Sequence, residues 1–380
     1  LAAALLLSAV PREPIAHFDT ARDLLRAQAC LDRGACQTAG PVTRLPELRH
    51  GALWNHFLAV SGAAGVDLAD QVALTFLLLA AGAAVLYGAA RRRWGAGLAW
   101  WGALTLVPAL VFVEAYPQFI NTSLSHLPLL VLWAAIVEAA PAERRGWLFA
   151  GAAAAGILMD TYLAFGLLFL APFGLALLNA RRPLRTASLL VLVFLGVFAA
   201  SSFQALVFLA GFLARRPVET AGAVLLGGAL SWGLLRLRSR WRRWGDGGRV
   251  VAGLAATTAL WLAVGVPSLA GVLSAVDLLP FLPVLPGLVL LLIVLLHAAA
   301  RSRRLAHLFE GPRGRVVSGL LLAGMLAQAG MATAAVRGSV RSARLTFGEV
   351  EALTAAVRAE GFEPDALQYL LQGPLVRGSS

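Results

Sequence analysis

One long polar and charged interval interrupts the first 340 residues of this chain, at residues 17–57: HFDTARDLLRAQACLDRGACQTAGPVTRLPELRHGALWNHF. The sequence around this interval consists largely of apolar residues. Hydrophobic residues make up 59% of the 380 positions and charged residues only 14%, and the mean hydropathy is +0.76. These values exclude an ordinary soluble domain. We therefore expect the polar interval to carry the chemistry, outside a membrane-embedded remainder.

The apolar runs predict an all-α polytopic membrane protein of about eleven transmembrane helices, since a span needs about 20 apolar residues. We interpret residues 1–10 as the end of a first span. Residues 1–337 then form the membrane domain, with a large first outer loop at 17–71 that carries short interfacial helices. Residues 338–380 form a small C-terminal outer segment. The later spans are predicted at Val72–Ala90, Gly95–Val113, His126–Ala140, Trp147–Met159, Thr161–Leu178, Ala187–Phe212, Gly222–Leu235, Val250–Leu273, Leu279–Ala299 and Val316–Val336.

The positions of the arginines predict which loops between these spans lie on the cytoplasmic face of the membrane. Basic residues collect on cytoplasmic loops, and here they cluster in five joints, each two predicted spans from the next. Dividing residues 147–178 at Asp160 keeps all five joints on one face. This places Asp160 and the 17–71 loop on the outer face. The net charge of +12 and pI near 11.3 then reflect membrane orientation, so we expect no nucleic-acid partner. The joints are Arg91–Arg93, Arg144–Arg145, Arg181–Arg185, Arg236–Arg249 and Arg301–Arg315.

Within the first outer loop, four charged residues follow helical spacing. Asp19, Arg22, Asp23 and Arg26 lie at i, i+3, i+4 and i+7, which is one face of a helix. The pattern predicts a short helix along the membrane surface. The stripe has two interpretations: a functional charged surface, or a solvated row of weak ion pairs.

The only two cysteines, Cys30 and Cys36, also lie in this loop. An oxidising compartment favours a disulfide between them, although two unrelated thiols fit the sequence as well. Two cysteines alone do not complete a zinc shell. Further on, HGALWNHF contains His50, a candidate acceptor contact, and Trp54, which is typical of the aromatic belt at a membrane interface.

Four segments together resemble the membrane glycosyltransferases of the C-type fold, especially family 39 and the aminoarabinose-transferase-like members. Phe18–Gly34 is similar to their first outer loop, in which an acid pair precedes Ala-Arg; here Thr20 replaces the second acid. Arg49–Gly62 resembles their His-Gly-Pro-Leu-aromatic element. Pro117–Trp133 resembles an Asn-Pro-x-Leu-x-P stretch, and Asp277–Leu291 a late Pro-x-x-Pro segment.

The resemblance implies sugar transfer from a polyprenyl-phosphate carrier to a lipid, protein or polysaccharide acceptor at the outer face of a multi-pass membrane protein, in a bacterial inner (plasma) membrane. Such transfer needs a base and cations for the departing phosphate. A divalent cation such as Mg²⁺ or Mn²⁺, with Asp19 as its ligand, is an alternative role for that acid. The competing class is a polytopic transporter or lipid flippase of the cell-envelope pathway. The catalytic candidates are Asp19, Glu114 and Asp160, and the phosphate candidates are Arg22, Arg215 and Arg216.

Overall fold

The computed structural model of the protein describes residues 18–34, 36, 38–40, 48–113, 121–265 and 279–302, with isolated positions at 316, 319, 323, 324, 356 and 359. In this part of the chain the secondary structure is helical, and short 3₁₀ or π turns extend several helices at Asn121–Ser125, Leu163–Phe169, Trp261–Gly265 and Leu279–Val284. The helices are α1 (Phe18–Arg33), α2 (Leu53–Ala63), α3 (Leu68–Trp94), α4 (Ala96–Val113), α5 (His126–Ala139), α6 (Arg145–Thr161), α7 (Leu170–Asn179), α8 (Pro183–Arg215), α9 (Pro217–Arg243), α10 (Asp246–Leu260) and α11 (Leu285–Arg301).

Five helical segments among these residues are long and apolar enough to cross a membrane: Asp70–Trp94, Thr122–Ala139, Pro183–Arg215, Pro217–Arg243 and Leu282–Arg301. The protein is therefore an all-helical integral membrane protein. The predicted number of eleven is not confirmed among the described residues, where two further apolar helices are shorter than a span. The runs at 1–10 and Val316–Val336 and the segment 338–380 lie outside the continuously described residues.

The predicted division of residues 147–178 into two helices is present, and the break lies two residues after the expected position at Asp160. Asp160 stays within the last turn of α6, and the chain breaks at Tyr162, which has extended backbone angles (φ −153°, ψ 117°). A 3₁₀ stretch then leads into α7. The break reverses the chain, so that α6 and α7 are separate short helices.

Helix α5 forms the centre of the bundle, and nearly all of its side chains are buried. Trp133 is fully enclosed, and its indole Nε1 donates a hydrogen bond to the carbonyl oxygen of Pro283 at 2.9 Å. Gly287 of α11 lies directly against the indole ring. A Cβ added there would lie 2.4 Å from the ring edge and 2.5 Å from Thr258 Oγ1. The late proline-rich segment is thus fixed to the central helix.

The arginine joints meet at one end of this bundle. The fully buried Glu138, in the last turn of α5, forms ion pairs with Arg92 at the end of α3 and with Arg144 before α6. Beside it, Asn179 donates to the carbonyl oxygens of Ala139 and Ala140. The indole of Trp241 on α9 donates to Asn179 Oδ1 at 2.8 Å. Four of the arginine-rich joints therefore lie close together at one end of the bundle, as the arginine pattern predicted. Glu138 connects two of these joints through its ion pairs.

Candidate functional site

The opposite end of the bundle holds the first outer loop. Helix α1 packs on α2 through an apolar cluster that also includes the Asn121–Ser125 turn. The disulfide of Cys30 lies in this cluster. Its other buried members are Ala27, Trp54, Leu58, Ala59, Val72 and Leu124. Three segments that the family resemblance singled out are therefore in mutual contact.

The charged face of α1 points into the protein. Arg22, Asp23 and Arg26 are only 5%, 1% and 4% exposed, whereas Leu31 and Asp32 on other faces are exposed. Of the two interpretations of the stripe, the solvated row of ion pairs is therefore wrong for Arg22, Asp23 and Arg26. Charged residues are almost never fully buried unless they are paired. The helix exists where expected, but its charged residues form an interior polar layer.

An ion pair organises this layer. The guanidinium of Arg22 donates from Nε and from Nη2 to Asp23 Oδ1, both at 2.9 Å. Asp23 thereby fixes the orientation of the guanidinium plane. Asp19 lies one helical turn before Asp23, in the first turn of α1, and its side chain lies outside the described residues. Arg26, which the sequence analysis did not select, lies one turn after Arg22 on the same buried face.

Asp160 holds the outer loop to the bundle. Its side chain is 1% exposed, and Oδ1 accepts the backbone N–H of Leu53 at 2.9 Å. The hydroxyls of Ser201 and Ser202 both donate to Oδ2. Ala52 N–H in turn donates to Ser202 Oγ at 2.7 Å. The carboxylate therefore accepts one of the free N–H groups at the start of α2, a position where negative charge is favourable.

Two glycines allow the loop to come this close. Gly51 donates its N–H to the Asp160 carbonyl oxygen at 2.9 Å, and a Cβ on Gly51 would lie 2.1 Å from Asp160 Oδ1. Gly40 donates to the His50 carbonyl oxygen at 2.8 Å, and a Cβ on Gly40 would lie 2.1 Å from the carbonyl oxygen of Gly51. Only glycine fits at these two crossings.

Helix α8 is adapted to the same contact. Ser202 has non-helical backbone angles (φ −143°, ψ 49°), so the helix is interrupted where it reaches the loop. Asp160 and the two serines thus join α6, α8 and the start of α2 in one hydrogen-bonded unit. Sequence analysis selected Asp160 as a catalytic acid but missed its partners, although Ser201 and Ser202 form a polar pair inside a long apolar run. This geometry favours an anchoring role for Asp160.

The two candidate acceptor or interfacial residues have different environments. The ring of His50 lies 5.0 Å from that of Tyr162, centroid to centroid, and His50 is partly exposed. Trp54 is buried in the apolar cluster and stacks on Phe57 at 5.6 Å. The assignment of Trp54 to an interfacial belt is therefore corrected, because packing between α1 and α2 encloses its ring.

Among the described candidates, Arg215 and Arg216 are not brought to this site. Arg215 and Arg216 lie between α8 and α9, and the guanidinium of Arg216 lies over the ring of Phe212 at 4.6 Å. Arg215 is 13 residues beyond Ser202, about 20 Å along a helix axis. Glu114 lies outside the described residues. Among the described residues no three His, Cys, Asp or Glu side chains group to hold a metal ion, so the divalent cation stays a prediction that concerns Asp19.

Cys30 and Cys36 are joined by a disulfide at the end of α1. The closed loop should lower the free energy of the folded state relative to the unfolded chain by about 2 kcal/mol in the chain-entropy model. We expect unreduced, denatured protein to resist thiol labelling and reduced protein to label at both cysteines. Full labelling without reductant would show that the two thiols are free in the membrane protein.

No protein-family profile matches the chain, and no curated protein matches it. A solved structure with a similar fold is the crystal structure of ArnT from Cupriavidus metallidurans in the apo state. The TM-score is 0.50 and the sequence identity 18%; the match covers 84% of this chain and 60% of that one. The likeness shows a fold of the ArnT type, and the chain spans about three-fifths of the length of that protein.

Proposed function

We propose that the protein is an integral-membrane glycosyltransferase that moves a sugar from a polyprenyl-phosphate carrier to an acceptor at the outer face. The observation that carries this proposal is the buried Arg22–Asp23 pair on α1, one turn from Asp19, in a chain with an ArnT-like fold. The ArnT-like fold agrees with the resemblance of four sequence segments to the C-type membrane glycosyltransferases. A guanidinium held in a fixed orientation away from bulk water is suited to a phosphate oxygen.

In the proposed reaction, an acceptor hydroxyl attacks the anomeric carbon of the carrier-linked sugar. The bond between that carbon and the phosphate oxygen breaks, and polyprenyl phosphate leaves with the electron pair. Asp19 takes the hydroxyl proton as general base. Arg22 stabilises the negative charge that develops on the departing phosphate. Asp160 keeps the outer loop in place. Arg215 and Arg216, which lie at the end of α8 beyond Ser202, take no part in this step.

Transfer of label tests the proposal directly. Purified protein in lipid nanodiscs is incubated with polyprenyl-phosphate sugars labelled in the sugar, together with a membrane extract as the acceptor source. We expect the label to move to a new product while unlabelled polyprenyl phosphate accumulates. The Asp19→Asn protein is the control and should produce neither.

A transporter or flippase gives a different result in the same system. Label would stay on the carrier, and in sealed vesicles the labelled carrier would change leaflet without loss of its sugar. That outcome with every labelled polyprenyl-phosphate sugar in the assay would overturn the glycosyltransferase proposal.

A further inference from the structure

Asn55 is a buried amide without a hydrogen-bond partner among the residues that the structure describes. Its side chain is 5% exposed, and neither Oδ1 nor Nδ2 has a donor or acceptor within reach. Buried side-chain amides are nearly always hydrogen-bonded, because water satisfies these groups in the unfolded chain. An enclosed amide with both groups unused therefore points to a ligand that supplies the missing partners.

The register of α1 against α2 places this amide at the charged layer. A Cβ on Gly62 would lie 3.7 Å from Leu31 Cδ1, and Ala27, Cys30, Leu58 and Ala59 belong to one apolar cluster. These residues all lie in the middle or the C-terminal half of α1 and α2, which fits two helices that pack side by side in the same direction. Asn55 lies two turns before Gly62 on the same strip of α2, and so faces α1.

The matching position on α1 lies two turns before Leu31, at Leu24, next to Asp23. Asp23 lies one turn before Ala27, on the strip of α1 that faces α2. Asn55 is thus level with the Arg22–Asp23 pair and about one turn from the level of Asp19. Helix α2 itself begins at the Asp160 anchor, which fixes the height of Asn55 relative to the bundle.

We propose that Asn55 binds the sugar of the carrier-linked donor, with its carbonyl accepting from one sugar hydroxyl and its amino group donating to another. The inference rests on the proposed function, since Arg22 would hold the phosphate to which that sugar is attached. A primary amide matches sugar hydroxyls because each hydroxyl both donates and accepts. A charged side chain at this position would add to the crowded charges of α1, whereas an amide does not.

Replacing Asn55 with leucine distinguishes an amide that binds a ligand from an amide that is buried without binding one. Leucine has a similar volume and no polar groups, so Asn55→Leu should be at least as stable as the natural protein. Gln71→Leu is the matched control. Gln71 is also buried, and its Oε1 has no partner among the described residues, but its Nε2 donates to the carbonyl oxygen of Val66, which lies just after the end of α2.

The measurement is equilibrium binding of two probes in nanodiscs: polyprenyl phosphate, and polyprenyl phosphate that carries glucose, mannose, galactose or arabinose. We expect the natural protein and Gln71→Leu to bind one sugar-bearing carrier tighter than the bare carrier by tenfold or more. In Asn55→Leu this preference should fall by about tenfold, as loss of two neutral hydrogen bonds implies. Binding of the bare carrier should be unchanged.

Two other outcomes would overturn the inference. The first is a stable Asn55→Leu protein that keeps the full sugar preference, which would make the amide a buried group without a role in recognition. The second is equal binding of bare and sugar-bearing carriers by the natural protein, which would mean that no sugar contact exists to lose. Failure of the proposed function gives a different pattern, because the label-transfer assay then yields no new product, whichever carriers the natural protein binds.

Discussion

Replacing Asp19 with asparagine is expected to lower turnover by about 10²–10⁴-fold, the usual effect of removing a general base. Asparagine keeps the size and hydrogen-bonding capacity of the side chain and removes only its charge. Asp19 lies in the first turn of α1, one turn before the ion-paired Asp23. The effect should be on the rate of label transfer, with expression and thermal stability close to those of the natural protein.

The control for this experiment must be chosen with the buried face of α1 in mind. The stripe pattern in the sequence makes Asp23→Asn the obvious comparison, with a much smaller effect. The structure excludes that choice, because Asp23 is buried and holds Arg22, so its loss leaves a buried cation with a weakened partner. Asp32→Asn is suitable, since Asp32 lies near the end of the same helix and is exposed. Equal activity in Asp19→Asn and Asp32→Asn would remove Asp19 from the mechanism.

The helices and the meeting of the arginine joints at one end of the bundle could be predicted from the sequence because both depend on local composition. Apolar runs and arginine clusters are continuous features, and their spacing predicted the break between α6 and α7 and the convergence of the joints. The predicted number of eleven spans is not confirmed within the described residues, where five helical segments are long and apolar enough to cross a membrane. The run Val250–Leu273, predicted as one span, is helical from Val250 through the π turn that ends at Gly265, and its remainder lies outside the described residues.

The site could be predicted only in part, since burial of charge is a tertiary property. Helical spacing placed Arg22, Asp23 and Arg26 on one face, but the same spacing fits a solvated face. What decides between the two is the packing of α1 on α2 through Ala27 and Cys30. Glu138 illustrates the same limit: it is one acid in an apolar run, and its two arginine partners lie 46 and 6 residues away.

Asp160→Ala should reduce the free energy of unfolding by about 2–4 kcal/mol, because it leaves one buried and two partly buried donors without their acceptor. The Leu53 N–H would lose its only recorded partner at the start of α2. The serine hydroxyls can rotate, and Ser201 already has a weak alternative at the Phe198 carbonyl oxygen, 3.3 Å away. We expect a lower midpoint in thermal or SDS unfolding, and faster proteolysis within residues 34–52, which precede α2.

Asp160→Asn decides between an anchor and a catalytic acid. The amide oxygen can still accept from Leu53, and the amino group can donate to Ser201 and Ser202, whose hydroxyls accept as well as donate. An anchoring residue should therefore keep most of its stability and most of its turnover as asparagine, while alanine loses both together. A catalytic carboxylate predicts the reverse for asparagine: a stable protein whose turnover falls by about 10²-fold or more. Because the Asp160 carboxylate already accepts from one backbone N–H and two hydroxyls, we expect the first pattern.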